Sequence, residues 1–290
     1  MKISTEIASI AKHVGEYKAV ELCAKAGFDG WDLSMFQMGQ YNSRINACED
    51  TGHPLRSVKY LQFVRELRKI GEDNGIRCNQ SYAPFPVRCK EIRDLLPRAI
   101  ECTAEAGGEI CIIHPDNDKT PEENAEMYME LLPFAKECGV KIATENMWNW
   151  NEQIGYSAPA ACSTSESFCE HLKAVNDESF VGCLDIGHAQ MEGSGSGAVN
   201  MIHALGDKLQ ALHIHDNDCR FDSHQIPFSM NIDFSAVVKA LKKIGYTGWF
   251  TLEADRYLQD HTADTVFNGI CDLAGSARKL RNMFQNIEKE

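Results

Sequence analysis

Eight short apolar runs, each closed by Gly, Asn, Asp or Pro, recur along the whole chain with a helix-length amphipathic segment between each run and the next. They lie near residues 2–8, 29–34, 77–82, 109–114, 141–145, 180–185, 210–215 and 249–253. The intervening segments carry helical periodicity, as in Val20, Leu22, Cys23 and Ala26 before Gly27, or Val237, Val238, Leu241 and Ile244 before Gly245. A glycine just past the last periodic residue is a helix stop signal. Every gap is long enough for the crossover of about a dozen residues that parallel strands need. The count predicts an α/β chain closed as a (β/α)8 TIM barrel, one domain over residues 1–290. An open doubly wound sheet would carry a Gly-rich phosphate turn after its first strand, and GxGxxG is absent. The GSGSG at 193–197 trails its strand by several residues and reads as a flexible loop. The aperiodic stretch from Gln37 to Pro54 reads as an extended loop, a candidate lid.

Charge and cysteine usage narrow the partners. Lys and Arg total 29 against 42 Asp and Glu, a net charge of -13 that repels a phosphate backbone, and no local basic track offsets it. Nucleic acid is therefore not an expected partner. No run approaches the roughly 18 apolar residues of a membrane helix, and MKISTEIASIAKHVG lacks the apolar centre of a signal peptide. The expectation is a soluble cytoplasmic protein, with a homo-oligomer left open. The 12 cysteines are scattered without a CxxC pair, so they read as small buried apolar residues in a reducing compartment. GxSxG and HExxH are both missing, which removes two common hydrolase designs.

Functional groups in such a barrel gather at the C-terminal ends of the strands. Here those ends are polar: CIIHPDN supplies His114, KIATEN supplies Glu145 and Asn146, and VGCLDIGH supplies Asp185 and His188. ALHIHDND supplies His213, His215 and Asp216, and WFTLEAD supplies Glu253. Alone, a histidine at a strand end is more often structural and a glutamate is usually solvated. Together, acids and imidazoles on four consecutive strands point at one rim centre, where unpaired charges repel unless a cation neutralises them. Oxygen-rich ligation with one imidazole suits Mn(II), Mg(II), Co(II) or Zn(II). His215 lies two residues beyond His213 and, by strand alternation, shares its inward face.

The series Glu145, DIGH at 185–188, HIHDND at 213–218, DSH at 222–224 and LEAD around Glu253 resembles the xylose isomerase-like TIM-barrel superfamily. That group holds sugar isomerases, ketose 3-epimerases, inosose dehydratases and apurinic endonucleases. The resemblance implies one divalent ion, Mn(II) first, on Glu145, Asp185, His213 and Glu253, with Glu145 and Glu253 as the acid/base pair. It implies that His188 and Arg220 contact substrate. His114 is a further candidate for substrate contact, Trp148 and Trp150 in the loop after Glu145 are candidates to stack on a sugar face, and Asn146 and Asp32, after strands five and two, are candidates to bind hydroxyls. The endonuclease branch adds a second-site reading in which His188, Asp222 and His224 hold another metal. Its strand-three histidine is replaced by Tyr82 in NQSYAPFP, a poor ligand at neutral pH. No basic cluster suits a phosphate. The resulting expectation is a metal-dependent isomerase or epimerase of a non-phosphorylated keto sugar or polyol derivative, working through an enediolate. A dehydratase acting on an inosose or 3-keto sugar, and a non-catalytic barrel that only binds, are the alternatives.

Overall fold

The computed structural model describes residues 1–287. Eight parallel strands make one sheet: β1 (Lys2–Glu6), β2 (Gly30–Ser34), β3 (Arg77–Tyr82), β4 (Ile110–Ile112), β5 (Lys141–Glu145), β6 (Phe180–Asp185), β7 (Leu209–His213) and β8 (Trp249–Leu252). Hydrogen-bonded neighbours follow the order β7-β6-β5-β4-β3-β2-β1-β8. The two ends meet through a parallel bridge between Ile214 and Leu252. There Ile214 N donates to Thr251 O at 2.9 Å and Glu253 N donates to Ile214 O at 3.0 Å, which closes the ring. An open sheet is thereby excluded. The fold is the expected TIM barrel.

Between successive strands run the outer helices, among them Glu16–Ala26, Tyr60–Asp73, Pro121–Glu137 and Phe234–Lys243. Their apolar stripes and the outward faces of the strands build the main core. Helix Pro121–Glu137 starts on a full capping box between Thr120 and Glu123, so its first backbone donors are satisfied within the chain. The first predicted run, 2–8, divides after Glu6, whose carboxylate accepts from Ser9 N at 3.0 Å and turns the chain into helix Ala8–Val14. No helix among the described residues is long and apolar enough to cross a membrane. All 12 cysteines are free thiols.

The inside of the barrel is divided in two. Tyr82, Ile112, Ala143, Val181, Cys183 and Ala211 fill the side formed by β3 to β7. Polar groups occupy the side near β1 and β8. There Thr251 Oγ1 accepts from Ser4 Oγ at 2.9 Å and from Asn79 Nδ2 at 3.1 Å, and donates to Gln80 Oε1 at 3.1 Å. Gln80 Nε2 in turn donates to Asp32 Oδ2 at 3.0 Å. All five residues are buried.

Two loop expectations need correction, and a further segment outside the eight runs forms a strand. The 37–54 stretch is structured, with a 3-10 turn at Phe36–Met38 and an antiparallel hairpin pairing Gln40–Asn42 with Ala47–Glu49. Trp148–Asn151 is a strand of its own, paired antiparallel with Tyr156–Pro159. GSGSG is packed rather than flexible: Ser194 is buried and its hydroxyl donates to His188 O at 3.1 Å and Met191 O at 2.9 Å. A Cβ on Gly193 or Gly195 would overlap the carbonyls of Ser157 or Ser163, so glycine serves close approach there.

Replacing Thr251 with Val keeps shape but strips Ser4, Asn79 and Gln80 of a shared buried partner. The variant is expected to lose about 1–3 kcal/mol of stability, measured by urea unfolding. An unchanged midpoint would show that the polar half of the interior is not held by this hydroxyl.

Candidate metal centre

Strand register sets the site. Asp185 stands opposite His213 and Cys183 opposite Glu145 in the parallel ladders, and Glu253 follows the bridge that closes the ring. Because side chains alternate, Ala143 and Glu145, Cys183 and Asp185, Ala211 and His213, and Thr251 and Glu253 form inward columns, each with its functional residue on top. One ligand atom from each of Glu145, Asp185, His213 and Glu253 lies within 4.8 Å of all the others. Their exposures are 0%, 0%, 0% and 4%, so water cannot screen the acids from one another. His213 Nδ1 is 2.9 Å from Glu145 Oε1 and 3.3 Å from Glu253 Oε2. Asp185 Oδ2, Glu253 Oε2 and His213 Nε2 are buried without a hydrogen-bond partner. Three carboxylates and an imidazole with orphaned donor atoms fit a hard or borderline divalent ion.

Electrostatics separates the two glutamates. Burial by itself would raise the Glu145 carboxyl, but His213 and then His114 outweigh it and hold it well below the usual carboxylate range. Burial pushes the Glu253 carboxyl well above that range, against the pull of His213 and His224.

Neighbouring groups fix the set. His114 Nε2 lies 3.2 Å from Glu145 Oε2 and shares a hydrogen bond with the Tyr82 hydroxyl. Asn146 accepts from Asp185 N at 2.8 Å and donates to Asp185 O at 2.9 Å. Its amide is thus committed to the backbone of Asp185, and a substrate hydroxyl would have to compete for it. Asp32 lies fully buried beneath the mouth, bonded to Gln80 and Ser34, 3.5 Å from His213 Nε2. The sequence reading of Asp32 as a hydroxyl ligand does not match that depth.

Beside this set lies a second cluster, His188, His215, Asp222 and His224, again with one ligand atom each within 4.8 Å. Asp222 Oδ2 is 3.0 Å from His224 Nε2 and 3.4 Å from His188 Nε2, while Asp222 Oδ1 is 3.4 Å from His215 Nε2. Burial opposes the charge on Asp222, but His188 and His224 hold its carboxyl well below the usual range. His215 also approaches Asp185 Oδ1 at 3.1 Å, so Asp185 joins the two clusters. The sequence reading gave His188, Asp222 and His224 to this group and left His215 out. The reason is that β7 stops at His213 and the alternation of its inward face ends with it. The sequence HIHD followed by DSH held the signal. Gly187 belongs to the same construction, since a Cβ there would overlap the His215 ring.

Around the mouth, Trp148 is half-buried with its ring 6.4 Å from that of His188. Trp150 stacks on Phe221 at 5.6 Å. Arg220 is exposed; it donates to Gly155 O at 3.3 Å and lies over the rings of Tyr156 and Phe221. It braces the 148–159 hairpin, and its polar contact is made there, not with the acidic set.

The family model for a xylose isomerase-like TIM barrel matches residues 20–278. The chain belongs to that family. Fructoselysine 3-epimerase of Shigella flexneri is 23% identical, over 69% of this chain and 72% of its own length. A solved D-tagatose 3-epimerase-like protein superposes with a TM-score of 0.71 at 23% identity, covering 98% of this chain and 97% of its own. The IOLI protein, solved with a bound zinc atom, superposes at 0.70 with 20% identity over 100% of both chains.

The raised Glu253 carboxyl has a pH signature. A carboxyl raised on folding stabilises the fold while protonated, and that contribution is lost as pH climbs from its unfolded value through its folded one. With a chelator present, Glu253→Gln should gain melting temperature relative to the unsubstituted protein as pH rises above the ordinary carboxylate range. A pH-independent difference would contradict the raised carboxyl.

Proposed function

We propose that the protein is a divalent-metal-dependent isomerase or epimerase of a non-phosphorylated keto sugar or polyol derivative. The observation that carries this reading is the pair Glu145 and Glu253, two buried carboxyls on either contact of His213 Nδ1 within one ligand set. The names of the fructoselysine and tagatose epimerase relatives support the substrate class, and the zinc of the IOLI protein supports a metal on this fold. Mn(II) is the first choice on the oxygen-rich donor set, with Mg(II), Co(II) and Zn(II) behind it. The reading extends to one domain over 1–290 and a cytoplasmic setting, supported by 12 unpaired thiols.

Glu145, Asp185, His213 and Glu253 would hold the ion. Such an ion, when bound, polarises a carbonyl and a neighbouring hydroxyl and makes the intervening C–H acidic. The chain supplies the rest. One glutamate takes the proton with an oxygen not committed to the ion, and the other returns one. Return to the opposite face of the same carbon is epimerisation; return to the adjacent carbon is aldose–ketose isomerisation. His114 bears on Glu145, while Glu253 Oε2 has no hydrogen-bond partner, so the two acids enter the exchange unequally. His188 and Trp148 stand where a sugar would meet the far wall. The cluster of Asp222 with His188, His215 and His224 supports a second reading, a dehydratase in which an imidazolium protonates a departing hydroxyl, or a second cation site used in the same step.

The test is solvent exchange. Mn(II)-loaded protein incubated with a panel of ketoses and inososes in deuterated water should place deuterium at C3 for epimerisation, or at C1 or C2 for isomerisation. Glu145→Gln and Glu253→Gln should each lower exchange by at least about a hundredfold, and dialysis against a chelator should abolish it. Mn(II) should raise the melting temperature of the unsubstituted protein and not that of Asp185→Asn. Exchange that persists in both glutamate variants would end the proposal, as would a melting temperature indifferent to every divalent ion.

A further inference from the structure

On the rim between the Gln40–Glu49 hairpin and the segment after β3 runs a groove of about 680 Å³. That is the volume of a complete small-molecule site, separate from the ionic mouth where a sugar would react. Phe36, Tyr41, Phe85, Gln37, Gln40 and Lys12 line it. The groove and the ionic mouth share a wall. The Tyr82 ring lies 4.9 Å from Phe36 and 5.9 Å from Phe85, and 4.7 Å from His213 and 5.0 Å from His114. Phe85 is 42% exposed although it touches His114 at 4.7 Å, so an apolar surface stays open to solvent beside the buried acids.

Charge decides what would cover it. The chain carries a net charge of -13, yet no Asp or Glu lines this groove. Lys12 is exposed and makes no ion pair among the described residues. A second cation, Arg88, lies over the Tyr41 ring at 5.6 Å but is not among the residues that line the groove. Lys12, the one charged residue of its lining, is a point charge without the planar fork that grips a phosphate. It matches a monovalent anion at the end of an apolar stem.

We infer that this groove binds a non-reacting arm of the substrate, an apolar stem ending in a carboxylate, while the sugar end occupies the acidic mouth. The inference rests on the keto-sugar reading and deepens it: the substrate is a sugar conjugate rather than a bare ketose. Phe36, Tyr41 and Phe85 set the preference for the stem, and Lys12 sets it for the terminal charge.

The experiment uses Mn(II)-loaded protein and fructose carrying either a carboxypentyl or a hexyl arm, attached at C1 through an amine or at C6 through an ether. Calorimetry gives the Kd of each probe, and deuterium exchange in heavy water is followed separately. At one attachment point the carboxypentyl probe should bind at least about threefold tighter than the hexyl probe, and Lys12→Glu should reverse that order. Lys12 is exposed, so the variant is expected to melt with the unsubstituted protein, and that melting temperature is the control for folding. Equal Kd values for the two arms at both positions, or a preference that survives Lys12→Glu, would overturn the groove. Exchange without any arm preference sinks the groove and leaves the isomerase reading standing. Arm-dependent, Lys12-dependent binding without exchange of any probe upholds the groove and sinks the isomerase reading instead.

Discussion

Three carboxylates that face one another in a dry pocket are the constraint around which this barrel is arranged. At 4.8 Å, two like charges repel by about 3.5 kcal/mol even at an effective dielectric near 20, and Glu145, Asp185 and Glu253 are buried together. Two responses to that repulsion are visible in the protein alone. His213 stands between the glutamates, and the Glu253 carboxyl is pushed up toward its neutral form. A divalent cation removes the same conflict more completely, because it lets all three acids ionise around one centre.

Holding repelling groups in place takes rigidity, and the supports are specific. Asn146 clamps the backbone of Asp185 on both its donor and its acceptor, and Asp185 Oδ1 accepts from His188 N at 2.6 Å. Beneath Glu253, Thr251 joins Ser4, Asn79, Gln80 and Asp32 in a bonded polar floor, while Ala143, Cys183 and Ala211 lie under Glu145, Asp185 and His213. A satisfied polar network is stiff and offers charges above it a dipolar surface, whereas a hydrocarbon floor would add to their desolvation cost.

The parts that could be read from sequence are those governed by a long period. Eight alternations of apolar run and amphipathic segment gave the barrel, and each of Glu145, Asp185, His213 and Glu253 closes or directly follows a strand, where the fold gathers function. The parts that escaped depend on where a period stops. His215 keeps the parity of His213, but the ladder has already ended, and its ring turns to Asp222 and Asp185. Asn146 reads as a free polar group because nothing local reveals that its amide faces a backbone 39 residues away. The WNWN of 148–151 did carry a strand's alternation, yet a hairpin outside the barrel has no place in an eight-run count. GSGSG looked mobile because close packing and flexibility call for the same residue.

The two clusters cannot act independently. Asp185 offers Oδ1 to His188 N and to His215, while its Oδ2 has no protein partner. Whatever charge the His188, His215, Asp222 and His224 group carries is therefore felt through one carboxylate by the first set. A proton or cation gained by the second cluster draws electron density on Asp185 toward Oδ1 and weakens Oδ2 as a donor; its loss does the reverse. Under the proposed function, substrate covering His188 from the Trp148 side would alter the same balance by excluding water. The rim is thus coupled electrostatically to the acidic set through Asp185, and that coupling makes the loops around the mouth a place where members of one fold can come to differ.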